Sequence, residues 1–191
     1  AMSAGALRAY LIEHDALPDT PLIAMVPVSM RKESDGDGGG NATGAVLCDL
    51  STHIEDPAIR LQAITTSISD NKKVFVQLPQ VQQLALSASV VGGLFLGLIP
   101  GFIRTAPPPF NIVISNVPGT REQLYWRGAS LVGNYPLSIA LDGQAVNITV
   151  SNNAENLDFG LVGCRRSVPH LQRMLAHLET SLKDLERAVG V

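Results

Sequence analysis

Apolar positions along the chain alternate between helical and strand-like spacing, and the switches mark the elements. In AMSAGALRAYLIEH, Leu7, Tyr10 and Leu11, with Leu17 beyond, fall on roughly one face. This predicts a helix already under way at Ala1 and ended by Pro18 and Pro21, because proline lacks the amide a helix needs. No capping residue precedes it and position 1 is not methionine, so the chain reads as a piece of a longer protein. Residues 22–30 (LIAMVPVSM) are nearly all apolar and predict a buried strand, with Pro27 at its end or at a bulge. Residues 45–51 (AVLCDLS) predict a second strand. Asp56-Pro57 then supplies an N-cap and a first-turn proline for a helix to about Lys73, with Ile59, Ile64 and Ile68 near helical spacing.

Thirty residues without a charge follow, from Val74 to Ile103. The part from Leu84 to Ile103 is long enough to span a bilayer, but Gly92-Gly93, Gly97, Pro100-Gly101 and its serines argue against a span. A buried helix or helix–turn–helix, or a surface that meets lipid or walls a channel for a fatty chain, fits better. After the proline run ending at Pro109, residues 111–116 predict a strand closed by a turn at Pro118-Gly119. More strand pieces follow, punctuated by Gly128, Gly133, Pro136 and Gly143. Residues 144–151 and 157–164 predict a hairpin around a turn at 152–156. Pro169 opens a last helix with the stripe Leu171, Met174, Leu175, Leu178, Leu182 and Leu185, a polar side of His170, Arg173 and His177, and Gly190 at its end. Long crossovers beside short hairpins make the class α+β with a mixed or antiparallel sheet.

Composition narrows the function. A charged fraction of 16% against an apolar fraction of 46% implies that part of the surface is covered by something. A net charge of −3 gives no basic footprint for nucleic acid. Cys48 and Cys164 make no disulfide framework, and with no signal peptide at Ala1 a reducing cytoplasm is the simplest compartment. None of His14, His53, His170 and His177 lies in a metal-ligand spacing, and no Gly-x-Ser-x-Gly elbow is present. The glycine-rich loop at 34–41 lacks the Gly-Lys-Ser/Thr of a phosphate cradle and reads as a surface loop. Asn41 and Asn147 fit the glycosylation pattern but read as accidental without a secretion signal. Asp158 and Glu155 lie too close to a turn for a carboxylate pair. Ser115 and Asn116, polar groups at the exit of an apolar strand, are either turn formers or hydrogen-bond donors to a developing oxyanion. Asn147 and Thr149 alternate with Ile148 and Val150.

The segments PLIAMVPVSMR, FNIVISNVPG, LYWRGASL, YPLSIALDGQAVNITV and LDFGLVGCR, with the Gly40-Asn41 pair, resemble the C-terminal half of the bacterial wax ester synthase/diacylglycerol acyltransferase family, over nearly the whole chain. The resemblance implies one lobe, residues 1–191, of a two-lobed CoA-dependent acyltransferase fold like chloramphenicol acetyltransferase, a mixed sheet flanked by helices. It implies transfer of a fatty acyl group from CoA to diacylglycerol or a long-chain alcohol, with acyl-CoA as substrate and no cofactor. The family's HHxxxDG histidine, the general base, is absent here, as is its Asn-Asp pair, so the N-terminal lobe of the same protein is the expected partner and this chain alone is expected to be inactive. By position, Ser115 and Asn116 become candidates for the CoA and oxyanion side. Gly128 and Ala129, small enough to let a fatty chain pass, become candidates for the acceptor channel, a tight hairpin being the alternative. Residues 84–103 become a channel wall or a peripheral contact with the inner membrane or a lipid droplet. A non-catalytic lipid-binding or interaction domain of the same fold, and an enzyme for another acceptor such as a polyketide-derived alcohol, are the competing expectations.

Overall fold

A computed structural model of the chain describes residues 1–30, 43–95, 108–140 and 143–190, with the side chains of 93–95 left aside. The loop at 34–41, the Asn41 pattern and the uncharged stretch beyond Phe95 lie outside the described residues. The first helix, α1 (Met2–Glu13), has no side-chain cap at Ala1. It ends well before Pro18, which corrects the expected stop and leaves Leu17 off the helix. Asp15 takes φ +49, its N–H donates to Ile12 O, and Ala16 N–H reaches back to Leu11 O at 2.9 Å. That pair of bonds satisfies the last carbonyls without any proline. Strand β1 (Ile23–Ser29) pairs antiparallel with β2 (Thr43–Asp49) and parallel with β3 (Ile112–Thr120), the latter at Ala24 and Met25 alone. Pro27 therefore sits inside the strand. Ile23 turns its N–H and C=O toward Asn111, on the β3 side, so Pro27 by strand parity turns its missing N–H to the same side, past the end of that pairing.

Helix α2 (Pro57–Gln77) starts where Asp56 Oδ1 accepts from the N–H groups of Ala58 and Ile59, and runs beyond the expected Lys73. Its break comes at Leu78, held extended (φ −71, ψ 145) by the proline that follows, and α3 (Gln80–Phe95) then begins. The first part of the uncharged stretch is thus a helix–break–helix. Buried Ser87 on α3 accepts from Ala45 N–H of β2, while Val81 and Leu84 face outward. Among the described residues no helix is long and apolar enough to cross a membrane.

Two-residue strands β4 (Tyr125–Trp126) and β5 (Ala129–Ser130) form a separate hairpin, and residues 131–140 are irregular where further strand pieces were expected. The predicted hairpin is present as β6 (Val146–Asn153) and β7 (Asn156–Gly163), with a tighter turn than expected, since Asn153 already pairs with Asn156. Helix α4 (Arg173–Val189) starts after Pro169 and His170, which stay in a turn, and ends at Gly190 with φ +79. The five-stranded sheet has the order β2-β1-β3-β6-β7, with β1–β3 and β3–β6 parallel and both outer pairs antiparallel. The mixed α+β architecture is as expected.

Strand alternation splits the sheet into two faces. Ala24, Ile112, Ile148 and Val150 point to one and pack with Leu7 and Tyr10 of α1, Ile64 of α2, and Met174 and Leu178 of α4 in a single core. Each fully buried Ile or Leu there stabilises the fold by about 1.5–3 kcal/mol. Glu13 of α1 clamps α4, with Oε1 2.6 Å from Arg173 Nε and Oε2 2.9 Å from His177 Nε2. Desolvation would raise the Glu13 carboxyl, but hydrogen bonds and charge from His177 and Arg173 outweigh it and hold it below the ordinary carboxylate range. A depressed carboxyl contributes stability above its unfolded pKa, and that stability is lost as pH falls through the folded value. Glu13→Gln is therefore expected to lower Tm at neutral pH. Thermal melts from pH 7 down to 3 should show the gap from the unaltered protein closing.

Candidate functional site

The second face of the sheet carries polar groups. Along β6, Asn147, Thr149 and Ser151 turn away from the helical core and are all buried. Thr149 stands in register with Ser115 of β3 on one side and with Gly160 of β7 on the other. The three form a transverse row across the strands. A strap made of residues 132–140 crosses the β6–β7 half of this face. Its Asn134 N–H donates to Asp158 Oδ2 at 2.6 Å, and Pro136 lies directly on Gly160, where any Cβ would strike the Pro136 carbonyl. Ser138 Oγ lies 3.1 Å from Thr149 Oγ1, which is also 3.1 Å from Asn147 Oδ1. Asn147 Nδ2 donates to Ile139 O at 3.3 Å. A burial of amides and hydroxyls this deep is tolerated because the strap and the neighbouring side chains supply partners. It also leaves Asn147 inaccessible, so the glycosylation pattern there cannot be used.

Ser115 is half-buried beside Thr149. Asn116 does not join it. Consecutive strand residues point to opposite faces, and β3 pairs regularly with β6 from Val113 to Val117, so Asn116 opposes Val150 on the helical face and is exposed. The strand does not turn at Pro118-Gly119 as expected. It continues to Thr120 with one irregularity after Val117, and Gly119 is placed so close to Asn152 O of β6 that a Cβ would collide with it. The glycine serves close approach of two strands rather than a turn.

Gly128 and Ala129 lie in the β4–β5 hairpin. Trp126 pairs with Ala129, so the loop is the two residues Arg127 (φ +49) and Gly128 (φ +85), the positive φ values a type I′ turn requires. A Cβ at Gly128 would meet nothing within 4 Å. The hairpin and strap expose an apolar set: Tyr125, Trp126 (79% accessible), Val132 (85%), Tyr135, Leu137 and Ile139. The histidines lie elsewhere. His177 binds Glu13, His14 stacks on Tyr10 at 4.2 Å between ring centroids, and the His53 carbonyl accepts from Arg8. Among the described residues no group of His, Cys, Asp or Glu could hold a metal ion. Thr149, Ser138 and Asp158 are the participants that sequence reasoning missed. The alternation of Asn147 and Thr149 with Ile148 and Val150 was a signal for the first, but nothing in the sequence marked the strap.

The WS/DGAT C-terminal domain family matches residues 39–186. The chain belongs to this family. It is 66% identical over all 191 residues to a Mycobacterium tuberculosis protein named as a probable diacylglycerol O-acyltransferase, and covers 42% of that relative. It is 45% identical over 190 residues to the O-acyltransferase WSD of Acinetobacter baylyi, covering 41% of it. The structure superposes on the wax ester synthase/diacylglycerol acyltransferase of Marinobacter aquaeolei VT8 with a TM-score of 0.80 at 39% identity, over 100% of this chain and 42% of the other. It also matches the first condensation domain of the CDA synthetase, with a TM-score of 0.51 at 12% identity over 98% of this chain and 38% of that one, a likeness of fold alone. The fold is thus the lobe expected of this acyltransferase group. The chain spans about two-fifths of the length of the curated WS/DGAT relatives it matches.

Proposed function

We propose that the full-length protein carrying this WS/DGAT C-terminal domain is an O-acyltransferase that moves a fatty acyl group from CoA to diacylglycerol or a long-chain alcohol. The observation that carries the reading is 66% identity along the entire chain with a protein named as a diacylglycerol O-acyltransferase. Acyl-CoA is a substrate in this reading and no further cofactor takes part. The general-base histidine belongs to the part of the protein outside this chain, and takes the acceptor hydroxyl's proton as its oxygen attacks the thioester. The carbonyl oxygen then becomes an oxyanion. Ser115, half-buried beside Thr149, is the donor this chain offers to it, with Thr149 and Ser138 as positioning groups. Asn116 points from the other face of β3 and lines the CoA side. Gly128 and Ala129 form the hairpin tip that borders the acceptor channel.

The exposed apolar residues of hairpin and strap form the surface that meets the N-terminal lobe. Soluble monomers rarely leave such a set uncovered, and the matched relatives are more than twice this chain's length. Trp126→Asp is expected to leave the Tm of the isolated 191-residue chain unchanged. It should weaken capture of that chain by a separately expressed N-terminal part, read by co-purification. In the part of 84–103 that the structure describes, Leu84 and Leu86 of α3 are exposed, which supports a peripheral contact of this segment with the inner membrane or a lipid droplet from the cytoplasmic side. Vesicle flotation of the full-length protein tests that contact.

The deciding assay gives the full-length protein palmitoyl-CoA with diacylglycerol or hexadecanol, with the upstream histidine replaced as control. Ester formation that vanishes in the control supports the reading. No transfer to either acceptor refutes it, and transfer by the 191-residue chain alone refutes the assignment of the base to the missing lobe.

A further inference from the structure

Cys164 follows β7 and is fixed by its backbone on both sides. Its N–H donates to Ala145 O, beside the start of β6, at 2.8 Å, and its carbonyl accepts from Ser167 N–H at 3.1 Å and from Val168 N–H at 2.8 Å. That turn folds Arg166 and Ser167 back toward the side chain. The thiol accepts hydrogen bonds from Ser167 N–H, the Ser167 hydroxyl and Arg166 N–H, which hold it below the ordinary thiol range. It is exposed, as are Arg165 and Arg166 after it. A lowered thiol carries more thiolate at neutral pH, and the thiolate is the nucleophile. Cys48 is the opposite case, buried and pushed up by desolvation.

A solvent-open cavity of about 710 Å3 lies beside this thiol, bordered by Ile139, Ala140, Gln144, Val162, Cys164 and Ser167. Its volume is that of a small-molecule site, roughly 300–1,000 Å3. Gln144 is the second chemical feature of the wall. The residue is 5% accessible, yet neither its Nε2 nor its Oε1 has a hydrogen-bond partner. Buried amides are nearly always paired, and one left unpaired loses its hydration without compensation. A primary amide presents a donor and an acceptor side by side, so the group that satisfies both at once is another amide. A hydrocarbon chain offers neither partner, and a carboxylate offers acceptors alone.

We propose that Cys164 is a site of reversible mixed-disulfide formation, and that the cavity beside it holds the incoming group, a small peptide-like thiol in its disulfide form, with an amide against Gln144. Carboxylates on such a thiol suit the exposed Arg165 and Arg166. In the step, the Cys164 sulfur attacks one sulfur of the small disulfide. A new S–S bond forms as the old one breaks, and the other half leaves as a thiolate that takes up a proton. Cys164 is oxidised and the departing half is reduced, so the small disulfide is itself the oxidant. Excess free thiol reverses the exchange. Neither direction requires acyl transfer.

The test follows mixed-disulfide formation at Cys164 in the reduced full-length protein by non-reducing peptide mass spectrometry, with unmodified Cys48 as the internal sign that the fold is intact. Glutathione disulfide is the amide-bearing probe and 2-hydroxyethyl disulfide the amide-free one. A short peptide of sequence VGCRRSV, treated with each, corrects for their intrinsic reactivities. After that correction glutathione disulfide is expected to react about tenfold faster than 2-hydroxyethyl disulfide, and saturably, because the cavity holds it next to the thiol. Gln144→Leu is expected to remove that preference while leaving the 2-hydroxyethyl disulfide rate unchanged. S-methylglutathione, which cannot exchange, is expected to protect Cys164 of the unaltered protein from 2-hydroxyethyl disulfide, and this measurement decides the matter should Gln144→Leu fail to fold. No modification of Cys164, equal corrected rates for the two disulfides, a preference that survives in a folded Gln144→Leu protein, or no protection by S-methylglutathione each overturns the proposal.

Discussion

Ser115→Ala in the full-length protein is expected to lower kcat for acyl transfer by roughly 10²-fold with little change in KM for acyl-CoA, the loss typical of removing one donor to a developing oxyanion. The geometry behind this is specific. Ser115 lies on the polar face of β3, in register with Thr149, and is only half-buried, whereas Thr149 is fully covered, in part by Ser138. Its hydroxyl is therefore held on a paired strand and left open on one side. Asn116→Ala, one residue along but on the opposite face, is expected to cost less than tenfold in kcat and to show its effect mainly in KM for acyl-CoA. Steady-state kinetics of the two variants side by side separate the roles. Equal kcat losses, or a Ser115→Ala enzyme within threefold of the unaltered one, would remove Ser115 from the oxyanion site.

Much of this arrangement is written locally. Asp56-Pro57 sets a helix start because a carboxylate caps two N–H groups and proline tolerates the first turn, and both bonds are present. The stripe on α4 buries Met174 and Leu178 because helical spacing brings them to one side. The alternation of Ile148 and Val150 with Asn147 and Thr149 places two residues in the core and two on the polar face. What failed depended on contacts distant in sequence. Pro118-Gly119 has the composition of a turn, yet β6 pairs on both sides of it, at Val117 and Thr120, and carries the strand through with one irregularity. Residues 132–140 carry strand-like residues, yet Asn134, Ser138 and Ile139 find hydrogen-bond partners in the side chains of Asp158, Thr149 and Asn147 rather than in a neighbouring strand. A stop before Pro18 was invisible because it rests on Asp15 adopting φ +49, which aspartate permits but does not announce. The chemistry itself was legible only through family resemblance, since the HHxxxDG motif expected to supply the base is not in this sequence.

The strap is the element on which the site and the proposed lobe interface both depend, and Gly160 is where it is seated. An ideal Cβ there would overlap the Pro136 carbonyl oxygen and lie 2.7 Å from its carbon, so both obstacles are backbone and cannot rotate away. Gly160→Ala is therefore expected to cost about 3 kcal/mol, the upper part of the range for overpacking a fitted site, even though a single methyl is added in a strand where alanine is otherwise tolerable. Lifting the strap also strips partners from Asn147 and Thr149, and each buried polar group so exposed to mismatch adds about 1–3 kcal/mol where water does not replace the bond. Urea unfolding of the full-length protein should show a lower midpoint with an unchanged slope, and acyl transfer should fall with it because Thr149 no longer holds its place beside Ser115. Gly128→Ala supplies the contrast. Space there is open, so its cost is the strain of φ +85, about 1 kcal/mol, and the strap is untouched. A Gly160→Ala protein as stable as Gly128→Ala would mean that the strap is not pressed onto β7, and the polar row of Gly160, Thr149 and Ser115 would lose its roof.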